Sequence, residues 1–409
     1  MSSGAIAKKT ETRALQSFLK RAGKSAALPV LKSEGLPHRG IEAWHYTSLR
    51  VLEDLDFAEA TPLGEVDAQE LLRNLVPDLT DGPRVVFVNG FFMPALSSLP
   101  AGVTVVEREA VSAETHPLTV LNAALGRGGV RFHVPEGVDA GNLAIVSLSS
   151  AEHPISTHLR HEIALAPGAR LTLLEIHAGQ GTYLSNPVLR FDVSKAASVR
   201  HVKLQADSDT SFHLAFVEGN VAEEGTYDSF TLTLGGRLAR HEVRCAMRGL
   251  HGNVHVNAAQ ILDGERHADL TSRITHAAPH CNSRQTVKNV ITDAAHAVFQ
   301  GKIEVERIAQ KTDGYQMNQA LLLSDRAQID SKPELEIYAD DVKCSHGATI
   351  GALDDEQLFY LRSRGIPEIE AKAILVRAFL GDALDLIVDE GLRSWLDARV
   401  DAWWAKQVN

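Results

Sequence analysis

The sequence predicts a mainly β protein in which a long β-solenoid body stands between two helical blocks. Three observations carry this expectation. Strand-like runs follow one another from Arg84 to about Ile350, separated by Gly, Pro, Asn and Asp. Within them a small residue, a spacer and a larger residue recur at Ala169-Arg170-Leu171, Ala197-Ser198-Val199 and Gly225-Thr226-Tyr227, in successive steps of 28 residues. Before and after this stretch, apolar residues fall instead at the 3-and-4 spacing of helices.

Residues 1–83 form the first block. Leu15, Phe18 and Leu19 share one face of a helix from Glu11 to Arg21, Gly35 to Gly40 breaks the pattern, and Leu71 to Leu75 begins another helix before Pro77. Residues 84–351 form the body, with strands at Val85–Val88, Val103–Val106, Val130–Val134, Leu143–Leu148, Leu171–Ile176, Val188–Val193, Val199–Leu204 and Phe230–Leu234. So many short strands suit a sandwich, a barrel or a solenoid. The repeat selects the solenoid, because each coil can lengthen its loops while its strands stay stacked. It recurs at Gly236, Ala295 and Ala327, after steps of 11, 59 and 32 residues. Small residues recurring in any strand-rich chain are the competing explanation. Residues 352–409 are helical again: Asp354 to Arg364 stops at Gly365, Pro367 opens a helix to Gly381, and Leu384–Val388 and Trp395–Val408 continue the pattern.

Composition narrows the function. The chain has 409 residues, is 44% hydrophobic and 23% charged, and carries a net charge of −11. It can bury a core, and it lacks the basic excess that general nucleic-acid binding requires. Its apolar runs fall short of a bilayer span, and its start has no signal-peptide core. Three cysteines without a C-x-x-C pair do not make a disulfide framework. A cytoplasmic protein is expected.

Gly23-Lys24-Ser25 is discarded as a phosphate loop, since Phe18 stands where the motif needs Gly and a helix precedes it. Histidines cluster at His251/His255 and at His276/His280 beside Cys281, but no fixed spacing brings three or four ligands together, so strand and surface positions are expected. Cys245 reads as a small buried hydrophobe. The sharpest segment is Asp340-Asp341-Val-Lys343-Cys344-Ser-His346-Gly347. In an extended strand Cys344 and His346 project from one face, as half of a soft metal site or as a Cys–His pair, tuned by Lys343 and the adjacent carboxylates.

This segment, with Ala295–Val305, Gln310–Ser324 and Asp354–Ile366, resembles the SufB/SufD family of iron–sulfur cluster assembly proteins over about residues 155 to 385. The front half, with Gly35-Leu-Pro-His-Arg-Gly-Ile-Glu42-Ala-Trp44-His-Tyr46-Thr47, Val86-Phe-Val-Asn-Gly90 and Leu121-Asn122-Ala123, is nearest to the SufD branch. The resemblance implies a right-handed parallel β-helix pairing with SufB, C-terminal helices docking the SufC ATPase, and an iron–sulfur cluster shared at the SufB–SufD interface. His346 is then the stronger metal ligand and Cys344 the weaker. Reduced FAD is implied at the level of the complex, with no residue assigned, and an isolated homodimer is allowed. The rival class is a β-helix carbohydrate-active or metal-dependent hydrolase, for which Glu223-Glu224 and Asp340-Asp341 are the adjacent acids. Both pairs read as solvated turns.

Overall fold

The computed structural model describes residues 12–77, 82–107 and 114–408. The first residues and Glu11, where the sequence suggests a helix start, lie outside the described residues. Helix α1 (Arg13–Arg21) begins where the Thr12 side chain accepts the Leu15 N–H, buries Leu15 and Phe18, and carries Lys20 and Arg21 at its C-terminal end, where cations suit the helix dipole. Gly23, at φ 57°, follows it as a turn rather than a phosphate loop. Helix α2 (Leu28–Glu34), with Pro29 in its first turn, is too short to show a pattern in sequence. Helix α3 (Glu65–Leu75) starts earlier than its apolar half suggested.

The body is a β-solenoid of about eight turns, made of two parallel sheets that the chain visits alternately. The first sheet stacks Arg170–Ser185, Ser198–Ala206, Thr226–Thr233, Asn253–Leu262, Asn282–Ile291, Asp313–Leu322 and Lys343–Gly351. The second stacks Arg160–Leu165, Val188–Val193, Phe212–Val221, Leu238–Met247, His267–His276, His296–Val305 and Gln328–Ile337. Arg170, Ser198 and Thr226 are in-register neighbours, so the 28-residue steps are true coils of the first sheet. Leu238, His267, His296 and Gln328 are the matching column of the second. The irregular later steps therefore mix a crossing between sheets with whole coils.

One corner of each coil is fixed by a residue in the left-handed region. Gly137, Gly168, Ala196, Glu224, His251, His280 and Lys311 form a column with φ between 54° and 69°. Each donates its N–H to a carbonyl of the next coil: Pro167, Lys195, Glu223, Leu250, Pro279, Gln310 and Asp341 respectively.

Leu171, Val199, Tyr227 and Val254 of the first sheet meet Ile163, Phe191, Val243 and Ile274 of the second in the solenoid interior. The outer face of the first sheet is also covered. Leu174, Ile176, Val202, Leu204, Ile261 and Val290 pack under α3 and two C-terminal helices, Glu368–Leu384 and Glu390–Val408. This reverses the ordinary reading of alternation, because polar residues between these apolar ones point inward. The beginning of the solenoid is closed by short antiparallel partners, Val103–Glu107 against Gly128–Val134 and Phe91–Phe92 against Arg84–Val88.

Helix α4 (Pro117–Leu125) lies against the early coils, where Asn122 donates to the carbonyls of Leu159 and Asn186. The segment around Trp44 straps the second sheet from outside. The Arg240 guanidinium lies 4.1 Å from the buried Trp44 ring, Thr47 donates to Asp269, Gln300 donates to the Ala43 carbonyl, and Lys332 meets Glu42 at 2.9 Å. At the other terminus α5 (Asp355–Ser363) is capped by Asp354 and ends before Gly365 at φ 88°; α6 (Glu368–Leu384) and α7 (Glu390–Val408) follow. Leu384–Val388 does not continue the helix as expected. The chain leaves α6 at Leu384, burying Ile387 in the link to α7.

Candidate functional site

Lys343–Gly351 and Gln328–Ile337 are the last strands of the two sheets, and among the described residues no strand pairs beyond them. Each therefore presents an edge of unpaired backbone groups. Strand alternation places Cys344 and His346 on the inward face, continuing columns whose previous members are Gly314 and Gln316. Further back these columns hold Ser283 and Gln285, both fully buried. In the last coil no stacked neighbour covers them: Cys344 is half-buried and His346 exposed. Ile350 and Tyr338 are also exposed here, at 56% and 57%.

The Cys344 sulfur sits over Gly314, where an added Cβ would lie 3.3 Å from it, and packs near Ile303 and Leu335. Burial pushes its thiol up, with Asp313 adding to the effect and the Gly314 N–H opposing it. A thiol held protonated is the weaker ligand until a metal displaces the proton. The acid acting on it is thus Asp313, from the coil beneath. Asp341 is instead paired with Lys311 at the corner. Among the described residues no group of three or more His, Cys, Asp or Glu converges as a metal site. Cys344 and His346 together supply at most two donors.

The other histidines have local explanations. His251 and His280 occupy the left-handed corner column with rings 5.1 Å apart, His276 is buried with its Nε2 2.8 Å from Ser283 Oγ, and His255 lies 3.7 Å from Asp228. Cys245 is buried and its thiol pushed up by that burial, as expected for a small hydrophobe. Glu224 sits at the same corner column, and of the two adjacent acid pairs Glu223 meets Lys195 and Asp341 meets Lys311.

A second surface lies on the C-terminal helices. Helix α5 buries none of its residues, and it forms with α6 an open groove of about 790 Å³ lined by Phe359, Tyr360, Leu361, Ile374 and Leu375. Phe359 is 73% exposed, a large apolar ring left in water. Near this groove Arg364 is exposed and Ile366 half-buried, whereas Phe379 packs against the body under the Lys288 ammonium, 4.5 Å from its ring centroid. The exposed aromatics of α5, the adjacent Phe359 and Tyr360, escaped sequence reasoning because large apolar rings in a helix ordinarily read as core.

The comparisons with known proteins agree with this geometry. A family model described as SUF system FeS cluster assembly, SufBD core domain, matches residues 147–379. The iron–sulfur cluster assembly protein SufD of Escherichia coli is 34% identical over 397 residues, covering 91% of this chain and 90% of that protein. An iron–sulfur cluster assembly SufBD family protein of Synechocystis is 32% identical, with 89% and 86% covered. One from Mycobacterium tuberculosis is 28% identical, with 90% and 89% covered.

Proposed function

The chain belongs to the SufBD family of iron–sulfur cluster assembly proteins, and from that premise we propose that it is a non-catalytic scaffold subunit of a SufBCD complex. In this reading SufB seats on the open last coil and SufC docks in the groove between α5 and α6. ATP hydrolysis belongs to SufC, and the complex is cytoplasmic. The nascent cluster is cargo, held where His346, and more weakly Cys344, meet ligands from SufB. The observation that carries the reading is the uncovered last coil, which exposes edge backbone, apolar side chains and an incomplete donor set at one place. Isolated, the same edge would allow a homodimer.

A flavin is not given a site on this chain. The groove of about 420 Å³ lined by Arg190, Arg244, Arg248 and Arg273 has its cations already engaged, with Glu114 at 2.9 Å, Glu242 at 2.8 Å, the Asn220 amide oxygen at 2.8 Å and Glu304 at 2.8 Å respectively. That donor set does not fit a flavin diphosphate.

Co-expression with SufB and SufC, followed by anaerobic measurement of iron and sulfide, tests the proposal. The complex should hold a cluster, and this chain alone should bind iron weakly. Stoichiometric cluster on the isolated chain would overturn the shared site. Deleting residues 352–409 should lose SufC from the purified complex, and its stoichiometric recovery would overturn the docking assignment.

A further inference from the structure

The interior of the early coils is not apolar throughout. The first sheet turns Glu175, His177, His201, Lys203 and Gln205 inward, and the second turns in His161, His213 and His241, all less than 9% exposed. Glu175 anchors the group, with His177 Nε2 at 2.5 Å, His201 Nε2 at 2.9 Å and Lys203 Nζ at 3.3 Å. The Tyr227 hydroxyl, 2.9 Å from His201 Nδ1, satisfies that ring's other nitrogen. A buried charge is tolerated when its hydrogen-bonding capacity is met.

That capacity is incomplete at one place. Lys203 has three N–H donors and uses one, on Glu175. His213 Nδ1 faces Asp207 Oδ2 at 3.0 Å. The pair is at ion-pair distance but outside hydrogen-bond geometry, and a carboxylate this near favours the tautomer with the proton on Nδ1, which leaves Nε2 an acceptor. His213 Nε2 and His241 Nδ1 have no protein partner, although both side chains are more than nine-tenths buried. Burial holds both imidazoles below their ordinary pKa and hence neutral.

Lys203, His213 and His241 line one cavity, with Gln205 and Gln260 on its polar side and Ala258 on its apolar wall. About 10 Å³ of it is open to a water-sized sphere, which is room for about one water.

We propose that the solenoid encloses a binding site for a single resident water, bridging Lys203, His213 and His241. The Lys203 ammonium donates to its oxygen, and its two O–H groups donate to His213 Nε2 and His241 Nδ1. The water meets both unpartnered imidazole nitrogens and a second of the three Lys203 N–H donors at once, although those nitrogens belong to the second sheet and the ammonium is drawn to Glu175 on the first. The water therefore ties the two sheets together across the interior. The groups facing it are Glu175, His177 and His201 from the first sheet, Asp207 from the following turn, and His161 from the second sheet. This acidic surrounding selects a neutral molecule over a halide, although an ammonium lines the cavity.

A crystal structure of the full chain at a resolution that shows ordered waters tests the site. A single peak of water height within hydrogen-bond reach of Lys203 Nζ and His213 Nε2 is expected. No density there, or a peak that becomes bromide on soaking, would overturn the proposal. Water-oxygen magnetic relaxation dispersion provides a second test. Ala258→Val fills the cavity from its apolar wall and should remove one long-lived water from the wild-type count. An unchanged count in the folded variant would also overturn the site. If that variant does not fold, the wild-type density decides alone.

Discussion

Gln316 and His346 occupy the same inward column of the solenoid, one coil apart, and meet opposite surroundings. Gln316 is fully buried, donating to the Glu334 carbonyl at 3.2 Å, while His346 is exposed. The backbone treats them alike. What differs is whether another coil lies above, so an inward-pointing polar residue is structural in one coil and available for chemistry in the next. The Glu175 group is the extreme of the buried case and the Cys344–His346 edge of the open one.

The strongest test of the buried end is acid. Burial holds His158 down to about 3 and His161, His177, His267 and His276 down to about 4. The unfolded chain protonates these imidazoles near 6.5, so the stability they contribute is complete above that pH and lost as pH falls toward 4. Each group gives up about 1.4 kcal/mol per pH unit in that window. The depressed Asp207 and Glu242 add a loss of the same sign at still lower pH. Cooperative unfolding should therefore begin between about pH 6 and 5, followed by circular dichroism. A melting temperature flat from pH 7 to 4 would break the contrast.

Glu175→Ala should cost about 3–5 kcal/mol in urea unfolding, since it strands Lys203 in the interior without its carboxylate. A change below about 1 kcal/mol would mean the cluster is wetter than its burial implies. Gln316→Ala should cost about 1–3 kcal/mol by leaving buried partners unsatisfied. His346→Ala in the next coil should change stability by less than about 0.5 kcal/mol, yet lower the cluster content of the assembled complex. Equal stability losses for these two variants would erase the distinction between the coils. Normal cluster content in His346→Ala would remove the ligand role, and Cys344→Ser should matter less.

Much of the body was legible because coil length repeats: Ala169, Ala197 and Gly225 stand just before in-register residues of stacked strands. The Cys344–His346 pair was legible for the same reason, as two residues apart in a strand share a face. The Glu175–Lys203 interior was not. Leu174, Ile176, Val202 and Leu204 imitate the core side of a half-buried strand, and only the distant helices α3, α6 and α7 covering them reveal that the polar neighbours are inside. His251 and His280 are surface residues, as expected, but the reason for them was not legible. Their spacing suggests ligands, whereas a corner that needs a left-handed residue once per coil accounts for both.

The two ends of the solenoid differ in one further respect, with a consequence for stoichiometry. The first edge is shut by short antiparallel strands and the last is open along nine- and ten-residue strands. A stacking module with two open edges polymerises, because each addition regenerates a growing end. This one has a valence of one: a single docking event consumes its growing end, so association should saturate at a pair and light scattering should plateau with concentration rather than climb.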